Sequence, residues 1–152
     1  MNHSASTPER IGRIHPICPI LLAALVLLIG SSSLAAVFAV EQHNDRLIIM
    51  DGSNTVAHFV FRDTNILRPY FAHVHTPDGL QVTRTHPPVK NVDPTDHDSM
   101  HPGIWLAFGD ISGQDFWRNK ATIRHDDFVE PPTSLDDQLT FATSATLVSS
   151  NN

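Results

Sequence analysis

Apolar residues after position 45 come in short runs that repeat at every second position, and Pro, Gly, Asp or Asn soon interrupts each run. This commits the chain to strands, because successive strand side chains point to opposite faces whereas an amphipathic helix needs a repeat near 3.6. In TVAHFVF (55–61), Ala57, Phe59 and Phe61 share one face, and Val56, His58 and Val60 share the other. Both faces are largely apolar, so both are expected to be covered. RLIIM (46–50) precedes this run across DGSN (51–54), whose Asp, Gly and Asn suit a tight turn, so 46–61 predicts a hairpin.

The same pattern continues downstream. TPDG (76–79) offers Pro77 for a fixed φ and Gly79 for a positive one, which predicts a second hairpin, and Pro69 in its first arm points to an edge or a bulge. From 86 to 103 the chain is rich in Pro, Asp, His and Ser without apolar periodicity, the mark of a long functional loop. GIWLAFG (103–109) predicts a central strand with Ile104, Leu106 and Phe108 on one side and Trp105 and Ala107 on the other. DISGQ reads as a turn, DFWRNKATIRHDDF as extended, VEPPTSLDD as a break, and QLTFATSATLV (138–148) as a last strand. About seven or eight strand segments leave a sandwich barely closed or one edge unpaired. The expected architecture is an all-β, antiparallel β-sandwich forming one domain over 40–152, shortened at its C-terminus.

The start of the chain is of another kind. Arg10 and Arg13 precede ILLAALVLLIG (20–30), and Val37 and Ala39 are small residues spaced like a cleavage site. That order resembles a secretory signal peptide over 1–39, cut after Ala39. The alternative is an uncleaved membrane anchor over 20–40, since apolar character resumes after Ser31 to Ser33. Either way residues 40–152 are expected outside the cytoplasm, in the periplasm or beyond. The single cysteine, Cys18, lies ahead of the apolar run, so residues 40–152 carry no disulfide and their core rests on packing. Without Arg10, Arg13 and Glu9, 8 of the 10 basic and 15 of the 16 acidic residues remain, a net charge of −7. Such a balance argues against a nucleic-acid partner, which needs a basic surface.

DHDSMHPGIWLAFGD (96–110) concentrates the chemistry. His97 and His101 are four apart with Asp96 and Asp98 beside the first, but Pro102 and Gly103 make the setting a loop instead of a helix. His97 and Asp98, joined by His73 and His75 from the alternating HVH, form a conceivable divalent-metal set. The competing chemistry is acid–base work on a sugar, for which a histidine with a carboxylate partner has a suitable pKa, and His101, Asp110, His97 and His125 are its candidates. Trp105 or Trp117 could stack on a sugar ring, and Arg118 and Lys120 could hold a carboxylate or a hydroxyl-rich ligand. Plainer roles compete with each of these. Asp110 can simply open the DISG turn, Trp105 and His125 can be core residues, and Arg118 and Lys120 can be solvated. There is no GxSxG elbow and no glycine-rich phosphate loop.

RPYFAHVHTPDG, DSMHPGIWLAFGDISGQDFWRNKATIRH and VEPP together resemble a family of exported bacterial proteins labelled methane-oxygenase PmoA-like, otherwise a domain of unknown function, over residues 46–148. The label does not imply a membrane copper monooxygenase, which needs several apolar spans where this chain has one apolar segment. The resemblance implies an exported β-sandwich, similar at the level of fold to mutarotase-like sugar-binding sandwiches, and it carries over no catalytic residue. Members continue past the point where this chain ends. The functional expectation is therefore carbohydrate chemistry of the epimerase, lyase or hydrolase type. The competing expectation is a non-catalytic carbohydrate-binding or structural module, or an inactive shortened family member.

Overall fold

The computed structural model describes residues 38–150, and among them there is no helix. The strands are β1 (Phe38–Gln42), β2 (Arg46–Asp51), β3 (Asn54–Val60), β4 (Tyr70–Ala72), β5 (Ile104–Trp105), β6 (Thr122–Leu135) and β7 (Gln138–Val148). β1 to β5 form one antiparallel sheet in sequence order, and β6 and β7 form a second sheet of two strands. The protein is thus all-β and antiparallel, built as two packed layers. The apolar run at 20–30 lies outside the described residues, and a cut after Ala39 would fall inside β1. No helix among the described residues is long and apolar enough to cross a membrane.

Register explains which side chains meet. Leu47 pairs with Phe59, which pairs with Phe71, so these three share a face. That face packs on the β6–β7 hairpin through Phe128 and Phe141. Phe59 and Phe141 have ring centroids 5.1 Å apart, and Phe61 meets Phe128 edge-on at 5.4 Å. Aromatic rings so offset add to the ~1.5–3 kcal/mol that burying each such side chain is worth. The opposite face carries Arg46, Val60, Tyr70 and Trp105 in one row and Ile48, His58 and Ala72 in the next. There a smaller apolar cluster of Val60, Ile66, Tyr70, Ala72 and Trp105 is formed with the 61–69 loop.

The 46–61 hairpin forms as its alternation predicts, but other segments differ. Residues 103–109 are not a central strand: β5 has two residues and closes the sheet at its edge. Ile104, Leu106 and Phe108 are 55%, 75% and 52% exposed. Alternation on both faces was present, but the β6–β7 layer does not cover this end of the sheet. The DFWRNK segment (115–120) is a turn and not extended. Asp115 caps it by accepting the Trp117 and Arg118 N–H groups at 3.1 and 2.9 Å, and Asn119 takes a φ of 60°. Asn tolerates that left-handed conformation better than most residues. VEPPTSLDD is no break either, since β6 runs through Pro131 and Pro132 to Leu135, and Asp136 with Asp137 makes the turn. Register shifts between Glu130 and Thr133 absorb the prolines, which lack a donor for the ladder. TPDG does turn, with the Gly79 N–H on the Thr76 carbonyl at 2.9 Å, but only a single bridge, His75 to Gln81, flanks it.

Candidate functional site

The histidine-bearing face of the sheet opens into a cleft of about 540 Å³. Arg46 of β2 and Tyr70 of β4 fall in one row through Val60, and His58 of β3 stands in the next row of the same face. The loop after β3 adds Arg62 and Asp63, and the residues after β4 add His73 and His86. A sheet face that would otherwise be apolar is in this way lined with donors and titratable groups.

Asp63 and Tyr70 anchor the cleft. The Tyr70 hydroxyl donates to Asp63 Oδ2 at 2.6 Å, while Asp63 Oδ1 accepts the Asn65 and Ile66 N–H groups at 2.7 and 3.1 Å. Burial works to raise the carboxyl pKa, but the hydrogen bonds from Tyr70, Asn65 and Ile66 outweigh it and hold Asp63 below the ordinary carboxylate value. Burial together with the same bond pushes the Tyr70 phenol far above its usual range. His86 stands edge-on to the Tyr70 ring at 5.3 Å, with Nε2 at 3.9 Å from Asp63 Oδ2.

Three imidazoles line the cleft. His58 and His73 have ring centroids 4.8 Å apart. His73 Nε2 lies 3.1 Å from the His86 carbonyl oxygen, which makes it the protonated nitrogen of that ring. Burial lowers the pKa of His58, helped by the proximity of His73 and Arg46. Burial also lowers that of His86, against the opposing pull of Asp63 and Asp98. Both rings are therefore neutral at neutral pH, able to accept a proton through one nitrogen and donate through the other. His73 takes a φ of 50°, a costly conformation for a residue of this kind, and it turns the chain out of β4 at the cleft.

The residues singled out from sequence are distributed differently. His73 and His75 line a second, shallower cleft with His58. His97 is exposed, with Nδ1 at 3.3 Å from Asp96 Oδ2, and Asp98 accepts the neighbouring Ser99 N–H at 2.7 Å. The metal set proposed from sequence is thus not drawn into one cluster. Among the described residues no group of three or more His, Cys, Asp or Glu is arranged to hold a metal ion. The His101 N–H bonds to the His97 carbonyl at 2.9 Å, closing one turn and placing the two rings 6.1 Å apart.

His101, Trp105 and Trp117 do come together, with the indoles 6.4 Å apart and His101 at 5.9 and 6.5 Å from them. Each indole already carries a guanidinium: Arg68 over Trp105 at 4.3 Å and Arg118 over Trp117 at 4.7 Å. Arg68 is buried and donates to the Met100 carbonyl at 2.6 Å, so it ties the 61–69 loop to the 86–103 loop. Arg118 also pairs with Asp115 at 3.0 Å, and Lys120 is exposed. Asp110 is exposed and accepts the Gly113 N–H at 2.8 Å, opening its turn. His125 is buried between Phe61 and Phe128, 4.7 and 4.9 Å away, and desolvation keeps it neutral.

Sequence reasoning missed Arg46, His58, Arg62, Asp63, Tyr70 and His86 of the cleft, and Arg68 beside it. The chain's only tyrosine standing seven residues after an aspartate was the available signal, but nothing local marks the two as partners. An antiparallel β domain with a polar, histidine-lined cleft on one sheet face is the class that this geometry defines. The chain belongs to a family of unknown function, DUF6807, whose profile matches residues 46–150. No curated protein and no solved structure matches it.

Proposed function

We propose that this domain takes a small hydroxyl-rich ligand of the carbohydrate class in the cleft between Arg46, His58, Tyr70 and His86, and that the two neutral histidines supply acid–base chemistry there. The observation that carries the reading is the cleft itself: about 540 Å³, on a sheet face, with imidazoles and guanidinium groups converging from separate elements. His58 and His86 are held neutral, the form a general base needs at working pH. Asp63 is not the base in this reading, because its oxygens are committed to Tyr70, Asn65 and Ile66. The proposal moves the acid–base pair away from His97, His101 and Asp110 of the sequence-based expectation. It keeps the exported setting suggested by the N-terminal segment and by the resemblance to the PmoA-like family.

The test is a panel of mono- and disaccharides titrated into the full chain and read by calorimetry, with product analysis by NMR. His58→Gln and His86→Gln should leave ligand affinity within a few-fold and remove turnover. Absence of saturable binding by any sugar would overturn the reading. A second reading, binding without turnover, is favoured by the saturated Asp63 carboxylate, since it leaves the cleft without a free carboxylate partner for histidine. Saturable binding with no chemical change in any sugar would select it.

A further inference from the structure

The two layers of the domain are unequal in width. β6 packs nearest β1, while Phe141 of β7 reaches Phe59 on β3 and Phe71 on β4, at 5.1 and 6.4 Å between ring centroids. β7 is therefore the side of its layer that looks toward β5. Ile104 pairs with Phe71 and shares its face, yet it stays exposed together with Leu106 and Phe108 because nothing lies beyond β7 to cover them. β7 pairs with β6 along one edge, and its other edge carries no backbone hydrogen bond among the described residues.

The two free edges of that layer differ in composition. β6 carries Arg124, Asp126, Asp127, Glu130, two prolines and three register shifts, the devices that keep an edge from pairing with another strand. β7 holds no charged residue, no proline and no glycine over its 11 residues. Its sequence is also self-complementary. When two such strands run antiparallel about Thr143, Leu139 of one stands opposite Leu147 of the other, Thr140 opposite Thr146, and Phe141 opposite Ala145. Leucine meets leucine, threonine meets threonine and a large ring meets a small methyl, so the cross-strand pairs are favourable and no like charges oppose. In a chain of net charge −6, which repels its own copies over most of its surface, an uncharged edge is where two copies can meet.

We propose that two copies of this chain associate through β7, antiparallel about Thr143, so that the two β6–β7 hairpins become one four-stranded layer. The second copy's strand then lies about 4.8 Å beyond β7, on the side where Ile104, Leu106 and Phe108 are bare. The 11 residues of β7 with the stretch 103–109 approach the ~20–30 residues a side that stable interfaces use. The histidine-lined cleft opens on the opposite face of the five-stranded sheet, so this association leaves it open and is independent of what it binds.

The test is the mass of the full chain by sedimentation equilibrium over a wide concentration range, with two variants. The expected mass is twice that of one chain. Thr143→Lys sets two lysines face to face at the centre of the pair and should give a monomer that keeps the parent's circular dichroism. Thr143→Cys, made with Cys18→Ser, should form a covalent dimer on oxidation, because directly opposed residues in an antiparallel pair have Cα atoms about 4.5–5.5 Å apart, within disulfide reach. Glu130→Cys on β6, in the same background, should not cross-link. A monomer at every concentration would overturn the inference. So would a dimer in which Thr143→Cys fails to cross-link, or one that Thr143→Lys leaves intact, since the contact would then lie elsewhere, the apolar segment 20–30 included.

Discussion

Tyr70→Phe isolates the bond that organises the cleft. The ring is 3% exposed and packs with Val60, Ile66 and Ala72, so Phe preserves the packing and deletes only the hydroxyl. What is lost is a 2.6 Å hydrogen bond to an ionised, partly buried carboxylate, and bonds of that class contribute about 1.5–3 kcal/mol. At about 4 °C per kcal/mol for a domain of this size, the melting temperature should fall by roughly 6–12 °C at pH 7. The cost should depend on pH in a defined sense. Asp63 has a folded-state pKa below the unfolded value of ~3.9, so its stabilisation is full above about pH 5 and is lost as pH falls through the folded value. Removing the hydroxyl raises that folded value, and the gap between variant and parent should narrow below about pH 4 toward the ~1 kcal/mol of a neutral bond. Urea denaturation of both proteins at pH 7 and in steps to pH 3 measures it. Because the chain has one tyrosine, phenolate absorbance in the parent also reads Tyr70 alone. The raised phenol pKa means stability that is complete below ~10 and lost as pH rises above it, so phenolate should appear only with unfolding. A phenol titrating near 10 in the folded protein, or a variant whose cost is the same at pH 7 and pH 3, would refute the reasoning.

Three further outcomes follow from other parts of the fold. Gly103→Ala should disrupt the β4–β5 edge, because a Cβ there would stand 1.9 Å from the Phe71 carbonyl oxygen at a φ of 157° that side chains seldom adopt. Amide hydrogen exchange should show lost protection at residues 70–72 and 104–105 while the β2–β3 hairpin keeps its own. Leu47→Ala empties a fully buried position between the two layers and should cost about 2–5 kcal/mol by urea denaturation, whereas Leu106→Ala, on an exposed side chain, should stay within ~0.5 kcal/mol. His58, His86 and His125 all have lowered pKa values caused first by burial, so the unfolded chain takes up protons that the folded one refuses. Stability should be level above about pH 7.5 and decline as pH falls through ~6.5, by up to about 1.4 kcal/mol per pH unit for each proton taken up; replacing His125 with Phe should flatten part of that slope.

Period-two patterning between Arg46 and Phe61 was enough to predict the first hairpin and which side chains of its second strand share a face, because register within a hairpin is a local matter of turn and alternation, but it predicted cover on both faces, whereas the His58 face opens into the cleft. The last strand, 138–148, was legible for the same reason. Residues 103–109 alternate just as well, yet whether an apolar face is covered depends on how far a distant layer reaches, and the β6–β7 hairpin does not reach β5. Local composition pointed to the DHDSMHPGIW loop for chemistry, since histidine and aspartate are dense there. The cleft instead draws Arg46, His58, Arg62, Asp63, Tyr70 and His86 from five segments, each unremarkable where it stands in the chain. Sequence alone determined that this chain makes antiparallel strands and where several of them turn, because those choices are settled among neighbouring residues. Only the tertiary structure decided that β5 is an edge and that Arg68 covers Trp105, because each of those is a contact between residues far apart in the chain.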